Sequence, residues 1–115
     1  MNPWTKIDDQ FHSHPKVRAA WKAEPASIGL YARALSYATA YLTDGHIDAQ
    51  FVTDLFPSKA RRQRATTALV DTGLWVPNGD GWEIHDYLKY HASREEQIAR
   101  TDAREAKREA NRMGH

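Results

Sequence analysis

The chain has 115 residues, enough for one domain and an appendage. A hydrophobic share of 41%, with four Trp and five Tyr, supports one modest and partly aromatic core. No cysteine is present, which excludes disulfides and thiolate metal sites and fits a reducing, cytoplasmic setting. No apolar run is long enough to span a bilayer, and the first residues lack the basic-then-apolar pattern of a secretory signal. Sixteen Lys and Arg face 15 Asp and Glu, leaving a formal net charge of +1. Bulk charge therefore does not point to nucleic acid, and any such site depends on local segregation of charge.

From Trp4 to Trp21 the large apolar residues are isolated: Trp4, Ile7, Phe11, Val17 and Trp21. Pro15 suits a first helical position, with His14 before it as a cap or a core-edge residue. A short helix to about Lys22 puts Val17 and Trp21 on one face, and Pro25 breaks it. Ser27 is expected to cap the next helix. There Tyr31, Leu35, Ala38 and Leu42 recur at helical spacing, widened by Leu30, Ala34 and Tyr41. Thr43-Asp44-Gly45 is a turn, and His46-Ile47 a very short extended piece. Asp48 caps a two-turn helix carrying Phe51, Val52, Leu55 and Phe56, and Pro57 ends it. Ser58 caps a further helix from Lys59 to about Thr72, with Ala65, Ala68, Leu69 and Thr72 inward and Gly73 at its end. Leu74-Trp75-Val76 and Trp82-Glu83-Ile84-His85 read as strands around the tight turn Pro77 to Gly81.

Long helix, short strand, short helix, tight turn, helix, hairpin is the winged helix-turn-helix order, here over roughly Ile28 to His85. The predicted fold class is mainly α with a small β-hairpin (α+β). Residues 1–92 are read as the domain, with a core of about 26–88, and residues 93–115 as a charged helical tail. Tyr87, Leu88 and Tyr90 dock the exit, and Ser93 with Glu96 has capping-box spacing.

The helix from Lys59 is the sharpest chemical feature. Lys59, Arg61, Arg62 and Arg64 fall in its first two turns, and no acid occurs between Pro57 and Val70. On a helical wheel Lys59, Gln63, Thr66 and Thr67 oppose the Ala65/Leu69 face, with Arg62 at its border. Arg can bond guanine, Gln adenine, and Thr a thymine methyl or a phosphate, as major-groove reading requires. Ser58 and the helix N-terminus add a place for phosphate. The alternative is a solvated basic face. The hairpin carries Asn78, Asp80 and Glu83, so this wing is expected to complete the fold without gripping DNA.

The tail hides a second segregation. Arg100, Arg104, Lys107 and Arg108 share one face, while Glu95, Asp102, Glu105 and Glu109 share roughly the opposite one. Between them Ala99, Ala103, Ala106, Ala110 and Met113 follow heptad spacing. Three readings stay open: a solvated helix held by ion pairs, a seam for its own copy or another protein, or a basic face laid on phosphates.

Neither metal nor catalytic chemistry is indicated. His12 and His14 are two apart with no third ligand, and His85-Asp86 is only a dipeptide. Ser27, Ser58 and Ser93 read as caps, and Asp8 and Asp9 diverge on any regular element. The expectation is a non-enzymatic chain without a cofactor.

The runs WTKIDDQFHSHPKV, IGLY, LTDGHI, VDTGLW and GWEIHDYLKYHASR resemble a family of small winged-helix proteins of actinobacteria and their phages. These look related to the N-terminal domains of phage replisome organisers and other replication-initiation proteins. The resemblance spans Trp4 to about Arg94. It implies a phage- or prophage-encoded binder of double-stranded DNA, in host cytoplasm or nucleoid, acting in replication initiation or transcriptional control. It implies no catalytic residue. The alternative is an adapter that docks on a host replication or transcription protein.

Overall fold

The computed structural model describes residues 4–87 and 94–113. Leu88, Tyr90 and the Ser93 cap lie outside those residues. A 3-10 turn, Phe11–Ser13, leads into α1, Pro15–Ala23. His14 caps α1 as expected, its Nδ1 accepting from the Lys16 amide at 3.1 Å. The inward residues of α1 are Val17 and Ala20, three apart, and Trp21 points outward with 58% of its surface exposed. The expected Val17/Trp21 face is therefore rotated toward Ala20, whose small side chain sits where α2 packs.

Helix α2 spans Ala26–Tyr41 with Pro25 at its N-cap position and no side-chain cap. Ser27 is thus not the cap. It is already helical and fully buried, so its hydroxyl needs an internal partner. It donates to the Ala20 carbonyl of α1 at 3.1 Å, closing the α1–α2 corner. Leu30, Ala34, Leu35, Ala38 and Thr39 are buried, whereas Tyr41, expected on this stripe, is 71% exposed. The helix stops there, with Leu42 left-handed at φ 56.

Asp44 and Gly45 continue in positive φ, at 55 and 91. Glycine is needed at the second of these, because a Cβ on Gly45 would lie 2.7 Å from Cβ of Tyr87. Tyr87 is buried, and its hydroxyl lies 3.2 Å from Oγ1 of the equally buried Thr39. The exit from the domain is in this way fastened to α2.

The two-residue strand β1, His46–Ile47, precedes α3, Ala49–Leu55. Asp48 is the N-cap between them. Its carboxylate accepts from the Phe51 amide at 2.8 Å and from the Tyr37 hydroxyl at 2.8 Å. The Tyr37 ring also stacks on Phe51 with centroids 4.2 Å apart. The Phe51 amide first, then the Tyr37 hydroxyl, holds the Asp48 carboxyl below its ordinary range.

Pro57 and Ser58 lead into α4, Lys59–Asp71, followed by β2, Trp75–Asn78, and β3, Gly81–Ile84. The hairpin loop is shorter than expected, since Pro77, Asn78 and Gly81 pair within the strands. Gly79 has φ 64 and stands first in the loop, where type II′ turns take glycine. The hairpin also gains a third strand. The sheet is antiparallel in the order β1-β3-β2, with Ile47 opposite Trp82 and Trp75 opposite Ile84. Gly81 permits this pairing, because a Cβ there would run into the Ile47 carbonyl.

The protein is mainly helical with a small antiparallel sheet, in the order and strand arrangement of a winged helix-turn-helix. One core cluster joins Val17 and Ala20 of α1 to Leu30, Leu69, Trp75 and Ile84. Helix α5, Arg94–Met113, follows. No described helix is long and apolar enough to cross a membrane.

Asp48→Asn is expected to lower stability by about 1 kcal/mol at neutral pH, because Asn can still cap the Phe51 amide but has no second acceptor oxygen and no charge for the Tyr37 hydroxyl. Because the folded carboxyl titrates below its unfolded value, the wild-type advantage is full above about pH 4 and fades as pH falls through the folded pKa. Urea melts of both proteins from pH 7 to pH 3 should converge at the acid end.

Candidate nucleic-acid interface

Helix α4 is oriented by its buried side. Ala65, Thr66, Ala68 and Leu69 are all inside, and α4 packs on α2, α1 and α3. Its N-terminus is fixed by Ser58, whose hydroxyl accepts from the Arg61 amide at 3.4 Å. Successive helical residues turn by about 100°, so Gln63 and Thr67 fall opposite the buried arc and Lys59 at its edge. All three are exposed, and Arg61 is exposed in the first turn on the other side of the helix, in line with Ala65 and Ala68.

The predicted site residues divide into groups. Thr66 does not reach outward. It is only 8% exposed, and its hydroxyl donates to the Arg62 carbonyl at 3.0 Å. The inner arc is wider than the Ala65/Leu69 wheel predicts and takes in Thr66. Arg62 is half-buried and folds back, Nη1 donating to the Phe56 carbonyl at 2.6 Å and reaching the Pro57 carbonyl at 3.5 Å. This guanidinium locks the turn between α3 and α4. Arg64 is more exposed, and its Nε lies 3.3 Å from Glu24 Oε1. Glu24 follows α1 and stands 40 residues away in sequence, so no local pattern could reveal it. Ala23 lines a shallow groove beside Gln63, Arg64 and Thr67.

The electrostatics of the first turn run against ordinary helix design. No acid occurs there, while Lys59, Arg61 and Arg62 place cations beside the positive end of the helix dipole. Each such cation costs about 0.3–1 kcal/mol at low salt. Arg62 offsets this through its carbonyl contacts. Lys59 and Arg61 have no acid within their turn, and an anion placed there relieves the repulsion.

The wing offers nothing comparable, since Asn78, Asp80 and Glu83 are exposed and none is cationic. On α5, Arg100, Arg104, Lys107 and Arg108 are exposed, as are Asp102, Glu105 and Glu109 on the opposite side. Arg112 and Glu109 approach to 3.7 Å. Scans against family models, curated proteins and solved structures find no match, so the reading of this surface rests on its geometry and chemistry.

Two substitutions separate the structural arginine from the exposed lysine. Arg62→Ala should lower stability by about 1 kcal/mol, leaving the Phe56 carbonyl with a poorer partner. Lys59→Glu should raise it by about 0.5–1 kcal/mol at low salt, by reversing an unfavourable charge–dipole contact. Urea denaturation read by tryptophan fluorescence measures both.

Proposed function

We propose that the protein is a non-enzymatic binder of double-stranded DNA that lays the outward face of α4 in the major groove. The observation that carries this reading is the acid-free first turn of α4, where Lys59 stands exposed at the border of the Gln63/Thr67 face and Arg61 stands exposed on the other side of the helix end. Such a turn is unfavourable for the helix alone and favourable beside phosphate. Lys59 and Arg61 take backbone phosphates at the groove edge, while Gln63 and Thr67 face base edges. Arg64 joins them when it leaves Glu24. The exposed basic side of α5, Arg100 to Arg108, adds phosphate contacts further along the duplex. The role proposed with this binding is replication initiation or transcriptional control, in the cytoplasm or nucleoid of a bacterial host, as the sequence resemblance to phage replication-initiation proteins implies.

A second reading is an adapter that docks on a host replication or transcription protein. It is favoured by exposed Trp21, which lines an apolar groove with Pro15, Val17 and Ile28, flanked by Arg18 and Lys22. The α5 seam of Ala99, Ala103, Ala106 and Ala110 is likewise exposed, for a second copy or a host protein.

Fluorescence anisotropy of labelled duplexes across a salt series tests the first reading. The wild type should bind with a steep negative slope of log K against log salt. Replacing Lys59 and Arg61 with Ala should reduce that slope by about 2 and weaken binding to all sequences. Gln63→Ala should leave the slope alone and relax sequence preference. Absence of duplex binding at low salt contradicts the proposal and favours the adapter.

A further inference from the structure

A cavity of about 820 Å³ opens on another side of the domain, between the N-terminal segment, α1, α2 and the two ends of the hairpin. Neither Lys59, Arg61, Gln63 nor Thr67 lines it. Its size falls in the range of small-molecule sites, about 300–1,000 Å³. One wall is apolar: Val17, Leu35 and Leu74, with the Phe11 and Tyr31 rings stacked 5.7 Å apart. Burial pushes the Tyr31 phenol up from its ordinary pKa, so it stays protonated as a neutral donor.

Polar groups converge opposite that wall. Lys16 extends over the end of α4, its Nζ 3.5 Å from the place a Cβ would occupy on Gly73. Gly73 has φ 80 and no side chain, which opens room for the ammonium group. His14 uses Nδ1 to accept from the Lys16 amide, so in the neutral ring the proton sits on Nε2, which becomes a donor. Both acids of the lining are already engaged. Asp86 Oδ2 lies 3.2 Å from His85 Nε2, and Asp8 Oδ1 accepts from the Gln10 amide at 2.7 Å. The cavity thus presents an apolar wall, donors and two lysines, Lys6 and Lys16, with one oxygen of each carboxylate on a protein partner.

We propose that this cavity binds a small amphipathic anion: a carboxylate whose apolar body lies against Phe11, Tyr31 and Leu35 and whose head meets Lys16 and His14. A purely apolar ligand leaves the Lys16 ammonium desolvated without compensation, and a fully polar anion leaves the aromatic wall wet. Gly73 and Leu74 join α4 to β2, so an occupant braces the junction that sets the angle of α4. That coupling rests on the DNA-binding reading, whereas binding in the cavity does not.

The probe is 1-naphthoate, with the neutral isostere 1-naphthamide beside it, titrated into the whole chain. Heteronuclear NMR should place 1-naphthoate by shifts at the amides of Lys16, Tyr31, Gly73 and Leu74. Calorimetry should show binding at least tenfold weaker for 1-naphthamide, and for 1-naphthoate with Lys16→Met, which keeps the apolar stem. Lys16→Arg should restore most of the affinity. A circular dichroism melt checks that each variant is folded. Shifts confined to the Trp21–Ile28 groove, equal binding of acid and amide, full affinity in Lys16→Met, or no binding at millimolar probe each overturn the proposal. None of these readouts depends on DNA.

Discussion

The close packing of α4 on α2 is the constraint on which the rest depends. Ala34 and Ala38 of α2 and Ala65 and Ala68 of α4 are all buried to 4% exposure or less. Methyl side chains let two helices approach, and the larger Leu30, Leu69 and Trp75 fill the space around them. This fixes the rotation of α4 as well as its place. A slip of one residue turns the helix by about 100° and moves Gln63 or Thr67 toward the core. The outward face is what remains once this side of α4 is buried.

A second constraint is electrostatic. The formal net charge of +1 hides three different fates for the cations of α4. Arg62 is consumed by the turn it holds, bound to the Phe56 carbonyl. Arg64 is shared with Glu24, in a contact that is 59% exposed on the arginine side and so contributes little to stability. Lys59 and Arg61 remain in the first turn, where the helix dipole opposes them. Helix stability does not account for cations in that position, and the proposed anion recognition would. The hairpin carries exposed Asn78, Asp80 and Glu83 and no exposed cation, so of these two elements α4 is the basic surface.

The local punctuation of the chain was legible because its causes are local. Asp48 and Ser58 cap their helices, His14 caps α1, and Gly73 takes the left-handed position at the end of α4. What escaped sequence reasoning depends on distant partners. Ser27 reads as a cap until the Ala20 carbonyl is placed beside it. Thr66 reads as outward, yet the folded domain buries it and its hydroxyl turns back to the Arg62 carbonyl. Trp21 and Tyr41 share helical spacing with core residues, yet both stay largely exposed. The third strand needs a pairing of Ile47 with Trp82 that no spacing encodes. Of the predicted contact residues on α4, Gln63 and Thr67 stay exposed on the outward face and Lys59 and Arg61 stay exposed at the helix N-terminus, while Arg62 and Thr66 were claimed by the fold.

The central claim is that the outward face of α4 meets DNA and the wing does not. A heteronuclear NMR titration with a short duplex at low salt tests it most directly. The account predicts the largest shifts at Lys59, Arg61, Gln63 and Thr67, smaller ones along Arg100 to Arg108, and none at Gly79 and Asp80. Shifts led by the hairpin tip or by the Trp21 groove, with α4 unmoved, would contradict it.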